Sequence, residues 1–189
     1  MHITSRRLIL SILFILCLSI QASAWNPMAV VSGTSGTPNC AGNKGSQETG
    51  GTNGSSNQIY ATKYTHSGAN CYVNYFEAYI DDVDATAWVG GIYTDNAGNP
   101  GTKLAQITAD ASPPAGFNWD GGALNTSVLL EDGVTYWFAI QGNANLGYHY
   151  AAVAAAAEHD ATAYNATMPT TFTPLGDVAR LISIRVSYQ

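Results

Sequence analysis

From Gln58 to its last residue, the chain carries short runs of apolar and β-branched residues at close intervals, with turn residues between them. Runs of this length, bounded by Gly, Asn, Asp and Pro, are typical of antiparallel strands joined by tight turns. The pattern therefore predicts an all-β protein, an antiparallel β-sandwich or jelly roll in a single domain. About eight strands are predicted: Ile59–Tyr64, Tyr72–Ile80, Ala87–Tyr93, Leu104–Thr108, Leu124–Leu130, Val134–Gln141, Tyr148–Val153 and Leu181–Tyr188.

Alternation within these runs indicates which side chains face the core. In Val134–Gln141, a period of two places Tyr136 and Phe138 on one face and Trp137 on the other. If the first face packs against the second sheet, the other face is turned away from the core. We therefore expect Trp137 on the outer face or at a sheet edge.

The first 24 residues have the features of a secretory signal peptide. Arg6 and Arg7 precede the apolar run Leu8–Ile20, and Ala22 and Ala24 supply the small residues that signal peptidase requires. The apolar run is short for a transmembrane helix, although a retained N-terminal anchor is the alternative. The sequence thus predicts cleavage near residue 24 and a secreted or cell-surface protein without a transmembrane anchor after processing.

The charge balance limits the class of partner. Loss of Arg6 and Arg7 with the predicted signal peptide changes the formal net charge from −6 to −8. An acidic surface repels phosphate backbones and anionic lipid. Nucleic acid is therefore not expected as a partner, whereas neutral glycans, cations and basic proteins remain open.

Two cysteines, Cys40 and Cys71, remain after the predicted cleavage. In an oxidising compartment an isolated pair is most simply a disulfide, and neither a CxxC spacing nor a neighbouring histidine indicates a metal site or a catalytic thiol. The bond would tie down residues 25–57, which we call the N-terminal arm. This arm is rich in Gly, Ser, Thr and Asn and is predicted to be a flexible loop, with one short strand at Ala29–Val31 and the sandwich over residues 58–189.

Several motifs resemble those of a group of bacterial and archaeal modules. The resemblance spans about Tyr72 to Tyr188, and its motifs are Tyr93-x-Asp95, Gly98-x-Pro100-Gly101, Leu104-Ala105, Trp119, Gly133-x-x-Tyr136-Trp137 and a final strand containing Arg185. These features look like the small jelly-roll modules of secreted or cell-surface proteins, which are similar to carbohydrate-binding modules. The resemblance implies a non-catalytic binding or adhesion unit, and it carries over no binding residue.

Acidic residues suggest one metal site. Asp81, Asp82 and Asp84 place three carboxylates within four residues at the end of a strand, and oxygen ligands clustered in this way suit Ca²⁺. Asp95, in the turn after Tyr93, is a further predicted ligand. The alternative is an exposed acidic turn that binds no metal.

Aromatic residues suggest a glycan site. Sugars present apolar C–H faces flanked by hydroxyl groups, so exposed rings beside Asn, Gln or Asp bind them. Tyr75 and Tyr79 share one face of their strand, and Trp119 falls in Gly116–Gly122, which has the composition of a loop. Trp119 is the first predicted ligand-binding residue, followed by Trp137, Tyr75 and Tyr79; Trp88, Tyr148 and Tyr150 add further rings that we expect mostly in the core.

Three functions are compatible with these features. The first is a secreted module that binds a glycan or another extracellular ligand, with or without a structural Ca²⁺. The second is a structural subunit of an extracellular assembly that self-associates through edge strands. The third is a lyase or hydrolase that uses Tyr148-His-Tyr150 and Glu158-His-Asp160, although no catalytic signature accompanies these motifs. The sequence favours the non-catalytic module.

Overall fold

The computed structural model describes residues 37–48, 50–109 and 112–189, apart from the side chains of residues 55 and 56. The predicted signal peptide and the predicted Ala29–Val31 strand lie outside these described residues. No segment of the described ranges forms a helix that could span a membrane. The described residues form thirteen strands: β1 (Lys44–Gly45), β2 (Gly51–Ser56), β3 (Ile59–Thr65), β4 (Cys71–Asp81), β5 (Trp88–Asn96), β6 (Asn99–Gln106), β7 (Asn118–Leu130), β8 (Thr135–Gly142), β9 (Asn145–Ala151), β10 (Ala157–Asp160), β11 (Gly176–Val178), β12 (Leu181–Ile182) and β13 (Ile184–Ser187).

These strands form two antiparallel sheets that pack as a sandwich. The first sheet has the order β1-β13-β4-β9-β12, with β7 paired to β4 and β2 paired to β9. The second sheet has the order β11-β10-β3-β8-β5-β6. The predicted all-β antiparallel sandwich is confirmed, and each of the eight predicted strands overlaps a strand of the structure, the last of them being divided into β12 and β13.

The core lies between the two sheets and is rich in aromatic side chains. Phe76 of the first sheet and Phe138 of the second are both fully buried, and their ring centroids lie 6.4 Å apart. Trp88 is also fully buried and donates its indole N–H to Asp120 over 2.8 Å. Each such side chain stabilises the fold by about 1.5–3 kcal/mol through burial of apolar surface.

The turn between β5 and β6 has the geometry that its sequence predicts. Its two central residues, Ala97 and Gly98, have φ values of 53° and 91°, and Asn96 pairs with Asn99 across the turn. Positive φ at both central positions is the feature of a type I′ turn, whose twist matches that of the flanking strands. The Asp95 carboxylate accepts the Gly98 N–H over 3.0 Å and fixes the turn.

The predicted disulfide joins Cys40 to Cys71 and is confirmed. Around it the chain runs beside the start of β4: the Cys40 N–H donates to the Tyr72 carbonyl over 2.8 Å, and the Tyr72 N–H donates to the Pro38 carbonyl over 2.9 Å. The bond therefore attaches the arm to a central strand of the first sheet.

The prediction that the arm after the Ala29–Val31 strand is a flexible loop is wrong for the part that the structure describes. All six residues of β2 pair with β9, and β1 pairs with β13. Apolar periodicity is missing from this segment because β2 is held in the sheet by its backbone pairing with β9. A Cβ at Gly51 would lie 2.9 Å from the Tyr150 ring, so a larger residue would displace that ring. The described part of the arm therefore belongs to the sandwich.

Candidate functional site

The outer face of the first sheet carries the aromatic residues that the sequence singled out. In β4, Tyr75, Glu77 and Tyr79 are half-buried and alternate with the buried Phe76 and Ala78, so they point away from the second sheet. Tyr75 and Tyr79 therefore share one face, as predicted.

Trp119 belongs to the same face. It lies in β7 directly opposite Tyr79, and the two ring centroids are 5.4 Å apart with an angle of 54° between the planes. The prediction that Trp119 lies in a loop is wrong, because β7 begins at Asn118 and pairs with β4 along this stretch. Strand pairing thus sets the spacing between the two rings.

Two further rings extend this surface. Phe117, which precedes β7, and His149 of β9 lie with their ring centroids 4.2 Å apart and nearly perpendicular. The Tyr79 ring contacts both, with centroid distances of 6.1 Å to Phe117 and 5.0 Å to His149. The result is a continuous patch of four rings, Phe117, Trp119, Tyr79 and His149, which we call the aromatic patch.

An ion pair fixes the indole of the patch. Arg185 of β13 lies opposite Glu77 of β4 and donates two hydrogen bonds to its carboxylate, over 2.8 Å and 3.0 Å. The guanidinium carbon of Arg185 lies 4.0 Å from the centroid of the Trp119 ring, within the range of a cation–π contact. Arg185 thus covers one face of the indole and restricts its rotation, while Glu77 neutralises its charge.

A pocket of about 210 Å³ opens beside these rings and is lined by Gln47, Glu48, Tyr79 and Trp119. Gln47 and Glu48 come from the N-terminal arm, just after β1. The Glu48 carboxylate accepts the Ser46 hydroxyl over 3.2 Å, and the Glu48 carbonyl accepts the Ser183 hydroxyl. The pocket therefore has an aromatic wall from the sheet and a wall with an amide and a carboxylate from the arm.

No model of a protein family matches this chain, and no curated protein or solved structure matches it either. The resemblance to jelly-roll modules of secreted proteins thus stays a prediction.

Tyr75 lies outside the pocket although it shares the outer face. It is paired with Ala123 of β7 and with Ser187 of β13. Four residues of extended strand separate it from Tyr79, a distance of roughly 13 Å. Tyr75 therefore belongs to the same sheet surface but not to the lining of the pocket.

The prediction that Trp137 forms an exposed binding platform is wrong. Trp137 points away from the core, as its strand pattern predicts, but it is only 1% exposed. Its indole N–H donates to Asp95 over 2.8 Å, and the Lys63 ammonium lies 5.2 Å from its ring centroid. Its cross-strand neighbour Tyr93 packs edge-on against Phe172, so residues 161–175 contribute to covering this face.

The predicted calcium site is not assembled. Asp81 accepts the Gly116 N–H over 2.8 Å, and the Asp82 backbone N–H donates to Pro114 over 2.9 Å, so this turn holds the loop that leads to β7. Asp84 donates its backbone N–H to Asn145. The Asp95 carboxylate accepts the Trp137 indole N–H and the Gly98 backbone N–H. Among the described residues, no three His, Cys, Asp or Glu side chains are grouped as metal ligands would be.

The two motifs considered for catalysis lie on different sheets. His149 is in the first sheet, where it packs against Phe117, and its Nδ1 makes no hydrogen bond to another described residue. His159 is in the second sheet, stacks on Tyr60 and bonds through Nδ1 to the Gly176 carbonyl over 2.9 Å. His149 thus contributes to the aromatic patch, and His159 joins β10 to β11.

Two residues that line the pocket and one that lies beside it were not predicted from the sequence. Gln47 and Glu48 lie in an arm without apolar periodicity, and Arg185 was noted only as part of a motif. The signal that could have revealed Arg185 is its position among Ser183 and Ser187 on the outward face of an alternating strand. Nothing local marks Gln47 or Glu48, because the pairing of β1 with β13 brings them to the pocket.

Proposed function

We propose that this protein is a secreted, non-catalytic β-sandwich that binds a neutral glycan in the pocket between Tyr79, Trp119 and the N-terminal arm. The observation that carries the proposal is the combination of two adjacent rings with an amide and a carboxylate in one outward pocket. Aromatic rings take the C–H face of a sugar, and amide and carboxylate oxygens accept hydrogen bonds from its hydroxyl groups.

The size of the pocket suggests the extent of the ligand. At about 210 Å³ it is smaller than the roughly 300–1,000 Å³ typical of pockets for drug-sized molecules. One pyranose ring suits such a volume better than a buried oligosaccharide. The remainder of a longer glycan would lie along the aromatic patch, over Phe117 and His149.

The charges favour a neutral ligand. Arg185, the cation beside the pocket, has its charge compensated by two hydrogen bonds to Glu77. Glu48 adds a carboxylate to the lining, and the whole chain carries a formal net charge of −6. An anionic sugar would meet this carboxylate without a free cation in the lining.

Secretion is supported by two features. The Cys40–Cys71 disulfide is of the kind that persists in oxidising compartments. The N-terminal sequence has the charged, apolar and small-residue regions of a signal peptide.

The proposal is tested with a glycan array probed with the purified mature protein. We expect binding to neutral glycans that is lost in Trp119→Ala and in Tyr79→Ala. Tyr75→Ala is the matched control, because it removes a ring from the same strand and the same face but outside the pocket, and it should bind as the wild type does. The proposal would be contradicted if the wild type bound none of the neutral glycans, or if all three variants bound equally well.

A structural subunit of an assembly is the second candidate, and one observation favours it. A groove of about 420 Å³ lies beside the ends of β6 and β7, with Leu104 and Val134 in its lining at 36% and 39% exposure. β6 ends the second sheet, and within the described ranges β7 pairs with β4 and otherwise forms one bridge, between Leu124 and Ile107. Light scattering of the mature protein over a range of concentrations tests this candidate, and a strictly monomeric protein would exclude it.

A further inference from the structure

Two carboxyl groups face each other at the edge of the second sheet. Glu158 of β10 is the direct cross-strand partner of Asp177 of β11, so both side chains project from the same face. Like charges in this arrangement destabilise a strand pair when both are ionised. β11 is the terminal strand of the sheet and contributes only three residues to it.

The surroundings of Glu158 offer little compensation for a negative charge. The residue is 2% exposed, and its Oε2 makes no hydrogen bond to another described residue. Lys63 of the neighbouring β3 is the nearby cation, but its ammonium lies over the Trp137 ring, 5.2 Å from the centroid, and forms no ion pair with a carboxylate in the described part of the chain.

Asp160 is the other acid on the same face of β10, and both of its carboxylate oxygens accept hydrogen bonds. One of its oxygens accepts the Thr162 N–H and hydroxyl over 2.7 Å and 2.6 Å, and the other accepts the Thr173 N–H over 2.8 Å. Residues 161–175, which lead from β10 to β11, contain Tyr164 as their only titratable side chain. The charges around Glu158 are therefore Asp177, Lys63 and the engaged Asp160.

These surroundings favour the protonated form of Glu158. The pKa of the Glu158 carboxyl is raised to about 7, first by burial and then by hydrogen bonding with Asp177 and by the charge of Asp177, while Lys63 acts in the opposite direction. A protonated Glu158 donates its O–H to the Asp177 carboxylate, which turns a repulsive pair into a hydrogen bond.

We propose that Glu158 and Asp177 share one proton and that this pair fastens β11 and residues 161–175 to the second sheet in mildly acidic solution and loosens them as the proton is lost. The pair is independent of the glycan pocket, which lies on the first sheet. Because residues 161–175 help to cover Tyr93 and its neighbour Trp137, loosening exposes an aromatic face that the acidic form keeps buried.

The direction of the pH dependence follows from linkage. The folded protein holds the Glu158 proton more tightly than the unfolded chain, whose glutamate titrates near 4.5. The stability that this proton supplies is therefore fully present below the unfolded pKa and is lost as the pH rises through about 7. Acidic conditions thus favour the fastened state.

Thermal unfolding of the full mature protein in buffers from about pH 5 to about pH 8.5 tests the proposal. We expect the wild-type Tm to fall by about 5 °C or more over this range. Glu158→Gln should remove most of the fall, because its amide N–H donates to Asp177 at every pH, and it should melt above the wild type at the alkaline end. Glu131→Gln, which changes an exposed glutamate elsewhere, is the control and should keep the wild-type slope.

Hydrogen exchange of peptides that cover β10 and β11 gives the local measurement. Corrected for the intrinsic rate, exchange in these peptides should rise with pH in the wild type and in Glu131→Gln but not in Glu158→Gln. Asp177→Asn, which removes the opposing charge, should reduce the rise if Glu158→Gln fails to fold. A pH-independent Tm and exchange in the wild type would overturn the proposal. So would recovery of the alkaline Tm by calcium chloride in the wild type alone, since the carboxylates would then hold a cation.

Discussion

The guanidinium carbon of Arg185 lies 4.0 Å from the centroid of the Trp119 ring on the outer face of the first sheet. Two hydrogen bonds to Glu77 hold the guanidinium in this position. The contact restricts the rotation of the indole further, so the side chain loses less conformational entropy when a ligand binds. The ion pair thus supports the binding surface and the sheet at once.

Arg185→Lys tests this support. A lysine keeps the charge but can neither form the two parallel bonds nor stack its group on the indole. We expect the free energy of unfolding to fall by about 1–2 kcal/mol and glycan affinity to fall with it. Urea unfolding followed by tryptophan fluorescence measures the first effect. In a double-mutant cycle with Trp119→Ala, the two losses in the free energy of unfolding should be less than additive. Full additivity would show that the contact contributes nothing to stability.

Ser183→Ala tests the wall that the arm contributes. The Ser183 side chain is fully buried and its hydroxyl donates to the Glu48 carbonyl, so its removal breaks one of the hydrogen bonds that hold the segment carrying Gln47 and Glu48. We expect about 1 kcal/mol less stability and a several-fold weaker glycan affinity measured by calorimetry. An unchanged affinity would mean that the arm does not contribute to the site.

Removal of the disulfide should lower the stability of the fold without changing the glycan affinity of the folded protein. The Cys40–Cys71 bond spans 31 residues, and closing a loop of this length stabilises a fold by about 3–4 kcal/mol on the chain-entropy model. The paired substitution of both cysteines by alanine should lower the free energy of unfolding in urea by this order. At temperatures where the variant stays folded, its glycan affinity should match the wild type, and a lost affinity there would contradict the expectation.

Trp137→Phe is predicted to separate stability from binding. The phenyl ring leaves the Asp95 oxygen without the indole N–H that it accepts, at a cost of about 1–3 kcal/mol. Because Trp137 is buried in the second sheet, we expect the glycan affinity to remain that of the wild type. Parallel urea unfolding and calorimetry of this variant check both parts. A variant with wild-type stability and weakened binding would show that Trp137 belongs to the glycan-binding site.

The alternation of apolar and polar residues, together with the turn residues, was enough to predict strands β3 to β9 and the segment that forms β12 and β13. They failed for β1, β2, β10 and β11, which are short or built from small polar residues. For β2 the stabilising interaction is backbone pairing with β9, and a pattern of side chains cannot report it. The burial of Trp137 could not be predicted for a similar reason. Its side chain points away from the core as predicted, but residues distant in sequence contribute to covering it.

The candidate site was predictable in its rings and not in its polar wall. Tyr79 was predicted because it is an aromatic residue on the same strand face as Tyr75, and Trp119 because its surroundings have the composition of a loop. Gln47 and Glu48 reach them through the pairing of β1 with β13, which joins segments about 140 residues apart. The aspartates were misleading, since Asp81 bonds to a neighbouring segment through its carboxylate and Asp82 and Asp84 through their backbone N–H groups, and the three do not form a set of metal ligands.

The most direct test of the glycan pocket is a titration of ¹⁵N-labelled protein with the best neutral glycan from the array, followed through the indole N–H signals. Trp88 and Trp137 donate their indole N–H groups to Asp120 and Asp95, and neither tryptophan lines the pocket. The account predicts that the Trp119 signal, assigned from its loss in Trp119→Phe, shifts in a saturable manner while the Trp88 and Trp137 signals stay in place. Saturable binding that leaves the Trp119 signal unmoved would contradict the account.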